Sequence, residues 1–262
     1  MLSVVEATFV GIDLACRSDK NPSGGAVLRG NRRCARMIDI TASLASSPAV
    51  LSYIENHATA SVCVAIDAPL IIPNKTGQRP CETLIGKRYG ARHASCHSSN
   101  LSLYPQAASV HLASQLVSRG FRHAPDLAHP ENQRVMLEVY PHPALLELFR
   151  LPSIIKYKKG NTARKRSGQR ELQARLNELS FFAPPLESTP RFSEFLATDT
   201  NLLRGATLKA YEDELDAIVC AYIAYYYRFW GPRGMRLVGD LDMGYIILPI
   251  GPQTPSELPN PY

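Results

Sequence analysis

The stretch "ATFVGIDLA", residues 7 to 15, is an apolar run with β-branched residues and reads as a buried strand, yet Asp13 stands near its end. A second run, "SVCVAIDAP" at 61 to 69, repeats the arrangement with Asp67. Taken singly, an Asp that closes a strand is also a turn former or a helix N-cap. Taken together, two strands that end in carboxylate suggest a rim built for chemistry.

Working outward, "GGAVLRG" at 24 to 30 follows a Pro/Ser/Gly turn, and "CARMIDI" at 34 to 40 follows that, which predicts a three-stranded antiparallel meander. Thr41 is expected to open a helix through about residue 57, with Leu44, Val50, Leu51 and Ile54 on one face. Strand four, at 62 to 67, then returns by a crossover to lie parallel beside strand one. Ligands gather beyond the carboxyl ends of parallel strands, so Asp13 and Asp67 are expected as near neighbours on one rim.

Residues 73 to 105 are rich in Arg, His, Ser and Gly and read as a long basic functional loop. Further elements are expected at 106 to 119 (helix), 134 to 141 (strand five, "RVMLEVYP"), 143 to 151 (short helix), "SGQRELQARLNEL" (helix), 191 to 203 (helix) and 207 to 230 (the strongest helical pattern). "MRLVGDLDMGYIILP" reads as a closing hairpin with "DMG" as its turn. The expected architecture is one mixed-sheet α/β domain over residues 1–250, with a basic, helical insertion at 152–205 and a frayed Pro-rich tail at 251–262.

The 262 residues are 45% apolar and carry a formal charge of +6, ample for a core and suggestive of an anionic partner. Six cysteines, at 16, 34, 63, 81, 96 and 220, form no CxxC pair, which fits a reducing compartment. The N-terminus lacks a basic leader and no window reaches the ~18 apolar residues of a membrane span, so a cytoplasmic protein without a membrane partner is expected. Cys81, His93, Cys96 and His97 lack the spacing of a zinc site.

More carboxylates join the first two. Asp213 and Asp216, in "TLKAYEDELDAIVCAYIAYYY", are three apart and share a helix face, with Asp216 at the edge of the apolar surface. Glu138, in "MLEVYPHP", lies in a strand otherwise suited to the core, where pairing with an Arg is the alternative. Unpaired carboxylates a few ångströms apart either share a proton or recruit a cation, and hard cations such as Mg²⁺ take oxygen ligands.

The block "KYKKGNTARKRSGQR", from Lys156 to Arg170, holds seven basic residues and no acid. Beside a carboxylate cluster it fits an anionic polymer such as nucleic acid, with Lys156, Lys158 and Lys159 on phosphates and Tyr157 stacking on a base or buried as a hydroxyl-bearing ring. Arg79, Arg88 and Arg92 are candidate phosphate clamps, although Arg79 with Glu82 can form an internal pair. His142 is a candidate for proton transfer or a structural residue.

The fragments "GIDLA", "AIDAPL", "RPCE", "EVYPHPALLEL", "KYKKG", "YEDELDAIVCAYIA" and "GDLDMGYIILP" together resemble the domain of unknown function 429 family, predicted nucleases of the ribonuclease H-like superfamily with a RuvC-like arrangement of acids. The resemblance runs from about residue 8 to 250. It implies an α/β ribonuclease H-like fold, with a five-stranded mixed sheet, helices on both faces and a C-terminal hairpin. It further implies two Mg²⁺ or Mn²⁺ ions held by Asp13, Asp67 and Asp216, with Asp213 and Glu138 as further candidates, and hydrolysis of nucleic-acid phosphodiester bonds. No acid occupies the family-like place on the first helix, since Glu55 lies too near its end. The competing expectations are an actin- or sugar-kinase-like phosphotransferase, for which "SGG" at 23 to 25 is a weak phosphate-loop signal, and a catalytically silent nucleic-acid-binding protein.

Overall fold

A computed structural model describes residues 6–15, 21–124 and 133–251. Its main sheet is built from β1 (Ala7–Asp13), β2 (Ser23–Gly30), β3 (Ala35–Leu44), β4 (Val62–Asp67), β5 (Arg122–His123) and β6 (Arg134–Glu138), in the order β3-β2-β1-β4-β6-β5. The first three strands pair antiparallel, and β4, β6 and β5 run parallel to β1. The sheet therefore has six strands rather than five, because a two-residue edge strand forms ahead of β6.

Alternation along β1 divides the core. Val10 and Ile12 face α1 (Ser47–His57) and α3 (Ala108–Val117), while Phe9 faces α7 (Gly205–Trp230), so helices cover both faces. Thr41 does not open α1: the β-branched run extends β3 to Leu44, and Ser46 caps the helix by accepting from the Ala49 N–H at 3.3 Å. The segment expected as one loop, 73 to 105, contains α2 (Pro80–Tyr89), which opens with Pro80 and is locked by Glu82 accepting from the Arg79 backbone N–H at 2.9 Å. α4 (Pro141–Leu148), α5 (Thr162–Glu178) and α6 (Pro190–Leu196) follow β6. α5 begins earlier than its apolar pattern, because Asn161 accepts from the Arg164 N–H and recruits the basic turn into the helix.

The hairpin is formed by β7 (Met235–Asp240) and β8 (Gly244–Pro249), and Asp240 Oδ1 accepts from the Asp242 and Met243 N–H groups in its turn. A bridge between Val139 and Ile247 ties it to the end of β6. The tail from residue 252 and Cys16 lie outside the described residues. Among the described residues, no helix is long and apolar enough to cross a membrane.

The contact that sets the depth of the site is α7 on the sheet. A Cβ on Gly11 would run into the backbone of Ala217 and Ala221, and one on Gly24 into the backbone of Asp213. "SGG" is thus a piece of strand on which α7 rests, not a phosphate loop. Gly11→Ala forces backbone against backbone and is expected to destabilise the fold by about 3 kcal/mol, read by urea denaturation.

Candidate active site at the carboxyl ends of β1 and β4

Asp13 and Asp67 are direct register partners in the parallel β1–β4 pair. Side chains at matched positions of neighbouring strands point the same way, so both carboxylates leave the sheet at one rim. Asp216 reaches the same place from α7 and is fully buried. Three acids brought this close either share a proton or recruit a cation, and here the protein supplies a cation. Lys158 Nζ lies 2.5 Å from Asp216 Oδ2, 3.9 Å from Asp13 Oδ2 and 4.0 Å from Asp67 Oδ2.

Lys158 belongs to the irregular segment between α4 and α5. Neighbouring Tyr157 is fully buried and donates its hydroxyl to Asp216 Oδ1 at 2.6 Å. Gly168 of α5 allows this segment to sit close, since a Cβ there would strike the Lys156–Tyr157 peptide. Tyr157 is accordingly a support for Asp216 and is not available to stack on a base. His142, also buried, packs its ring 5.3 Å from that of Tyr157, and burial with the nearby Lys158 and Lys159 charges pushes its pKa down to about 3. His142 thus packs against Tyr157, the residue that supports Asp216.

The electrostatics follow from burial and like charge. Burial raises Asp67 well above the ordinary carboxylate range; Lys158 opposes this, and Asp13 and Asp216 add to it. Asp216 is raised by burial against the pull of Lys158. Burial alone would lower Lys158, but Asp13 and Asp216 hold it well above its usual value, so it remains an ammonium. Asp213 sits at the edge of the group, paired with Lys209 one turn earlier and raised to about 7 by burial and by Asp13.

Glu138 takes a different role. Arg79 grips it with two donors, Nη2 to Oε1 at 2.6 Å and Nη1 to Oε2 at 3.0 Å, and the Leu70 N–H donates to Oε2 at 2.8 Å. The remaining Arg79 donors go to Glu82 Oε1 and the Ile71 carbonyl. All three residues are at most 2% exposed. Glu138 thus neighbours Asp67 with its oxygens occupied, and Arg79 is turned inward rather than out toward phosphate. Arg88 and Arg92 flank the Tyr89 ring, with Arg92 3.6 Å from Glu147, so the structure does not bring them into the carboxylate group. Lys156 and Lys159 are exposed on either side of the Tyr157–Lys158 pair. A pocket of about 230 Å³ opens beside Asp67, lined by Pro69, Tyr104, Val139, Tyr140 and Ile246 over the Arg79–Glu138 pair.

Among the described residues, no three His, Cys, Asp or Glu side chains are arranged to hold a metal ion as they stand. The point on which Asp13, Asp67 and Asp216 converge is held by the Lys158 ammonium, itself a stand-in cation. The donors are hard carboxylate oxygens in excess of the single positive charge, which is the chemistry a divalent ion such as Mg²⁺ or Mn²⁺ requires. The donor type suits such an ion, and the position it would take is the one Lys158 fills.

The Arg79 network gives a direct stability test. Arg79→Met leaves Glu138 and Glu82 buried without their counter-ion, and chemical denaturation is expected to show a loss of about 3 to 5 kcal/mol.

Over residues 11–237 the chain matches the family described as protein of unknown function (DUF429). No curated protein and no solved structure matches it. The match covers most of the chain and includes Asp13, Asp67, Lys158 and Asp216, and the protein belongs to the DUF429 family.

Proposed function

We propose that the protein is a metal-dependent nuclease with a ribonuclease H-like fold, hydrolysing phosphodiester bonds of nucleic acid. The observation that carries this reading is the convergence of Asp13, Asp67 and Asp216 on one cation position at the rim of parallel strands. A sheet of three antiparallel strands continued by parallel ones supports the superfamily assignment.

Asp13, Asp67 and Asp216 would hold the ions, with Asp213 at the edge of the set. Two divalent ions there would supply activation of the attacking water and charge neutralisation at the leaving oxygen. Tyr157 fixes the orientation of Asp216 through its hydroxyl. Lys156 and Lys159, with Arg164 exposed at the start of α5, offset phosphate charge beside an acidic centre. The pocket beside Asp67, with Tyr104 and Tyr140 in its wall, gives a base of the substrate an apolar seat. The phosphotransferase alternative loses its sequence signal once "SGG" lies beneath α7.

The test is a panel of labelled DNA, RNA, hybrid and junction substrates with Mn²⁺, Mg²⁺ or EDTA. The expected result is cleavage that requires metal and falls at least about 100-fold in Asp67→Asn. A wild-type protein that binds these substrates and cuts none would assign it a binding role instead.

A further inference from the structure

We propose that Lys158 is a tethered counter-cation that exchanges with a divalent ion: it occupies the site while the site is empty of metal and leaves when metal enters. The inference rests on the metal-dependent reading above and concerns the order in which the site is filled.

Three observations carry it. The first is position: one ammonium lies within 4.0 Å of carboxylates from β1, β4 and α7, with its shortest contact on the most buried of them. An ion placed where the ammonium now lies, within reach of all three carboxylates, would occupy the same space as Lys158 Nζ and repel it. The second is charge. Asp13, Asp67 and Asp216 share a single ammonium, Asp213 having its own partner in Lys209, so replacing a monovalent cation by a divalent one improves the balance in a site where unpaired charge is costly.

The third is that the segment is held in a way that lets the side chain move without the backbone. Tyr157 is fixed by its hydroxyl bond to Asp216, and the Lys156–Tyr157 peptide rests on Gly168. Lys158 itself remains 24% exposed at its side chain, which leaves an outward path for a flexible four-carbon stem. The ligand Asp216 therefore keeps its orientation through Tyr157 when Lys158 departs. Once released, Lys158 joins exposed Lys156 and Lys159 to make a run of three ammonium groups beside the loaded site. Metal entry thereby creates part of the phosphate-binding surface, and metal is bound before the polymer is gripped.

Two measurements with Mn²⁺ as the probe test the exchange. In wild-type protein, amine labelling with acetic anhydride followed by peptide mass spectrometry is expected to modify Lys158 at least about tenfold more slowly than Lys156 without Mn²⁺, and at a comparable rate with saturating Mn²⁺. By titration calorimetry, Lys158→Met is expected to bind Mn²⁺ at least about tenfold more tightly than wild type, since the competing cation is gone. Mn²⁺ binding with Lys158 still protected, or with equal or weaker affinity in Lys158→Met, overturns the exchange while leaving the metal site standing. Absence of Mn²⁺ binding in both proteins overturns the metal site and the exchange with it. Should Lys158→Met fail to fold, the wild-type labelling decides alone.

Discussion

The close seating of α7 on the sheet is the constraint from which the candidate site follows. Gly11 and Gly24 lie on adjacent strands and remove the two side chains that would hold the helix away. At that distance Asp216 on α7 comes level with Asp13 and Asp67 at the strand ends, and Asp213 falls beside Asp13. Without the glycines, a carboxylate on a helix and two on a sheet would be separated by a layer of side chains, as ordinary helix-on-sheet packing requires.

That closeness creates an electrostatic problem that the rest of the segment from β6 to α5 is organised to solve. Like charges in a water-poor site drive carboxylates toward protonation, and burial of Asp67 and Asp216 adds to the effect. Lys158 offsets this with charge and Tyr157 with a hydrogen bond, each delivered by an irregular stretch pinned against Gly168. A separate group, Arg79 with Glu138 and Glu82, lies under the neighbouring pocket, where one guanidinium bonds both carboxylates. Two buried ionic groups thus sit side by side with different characters. In one, a guanidinium and backbone N–H groups occupy the carboxylate oxygens; in the other, three carboxylates share a single ammonium.

Much of this was legible in the chain. Apolar β-branched runs ending at Asp13 and Asp67, and strand-helix-strand order between them, fix a parallel pair because the crossover rules leave few alternatives. The 3.6-residue pattern of α7 placed Asp213 and Asp216 on one face, and the "DMG" turn gave the hairpin. The expectation that a charge at the margin of an apolar face must be compensated was met at Asp216. The two-residue β5 carries too little pattern to be read, and α2 hides in a polar segment because its cap comes from Arg79 and Glu82 rather than from Ser, Thr or Asn.

The sequence by itself determined the elements and the residue types: which strands end in acid, which helix carries two more, and where the basic block lies. Only the tertiary structure decided the partners. Glu138 reads as one more carboxylate until Arg79, 59 residues away in the chain, closes on it, and Arg79 reads as a phosphate clamp until that same contact turns it inward. Lys158 is one of seven basic residues between positions 156 and 170, and nothing local distinguishes it from Lys159. Its role comes from three carboxylates brought from distant parts of the chain, and the energy of a charge depends on distance and surroundings that local sequence does not encode.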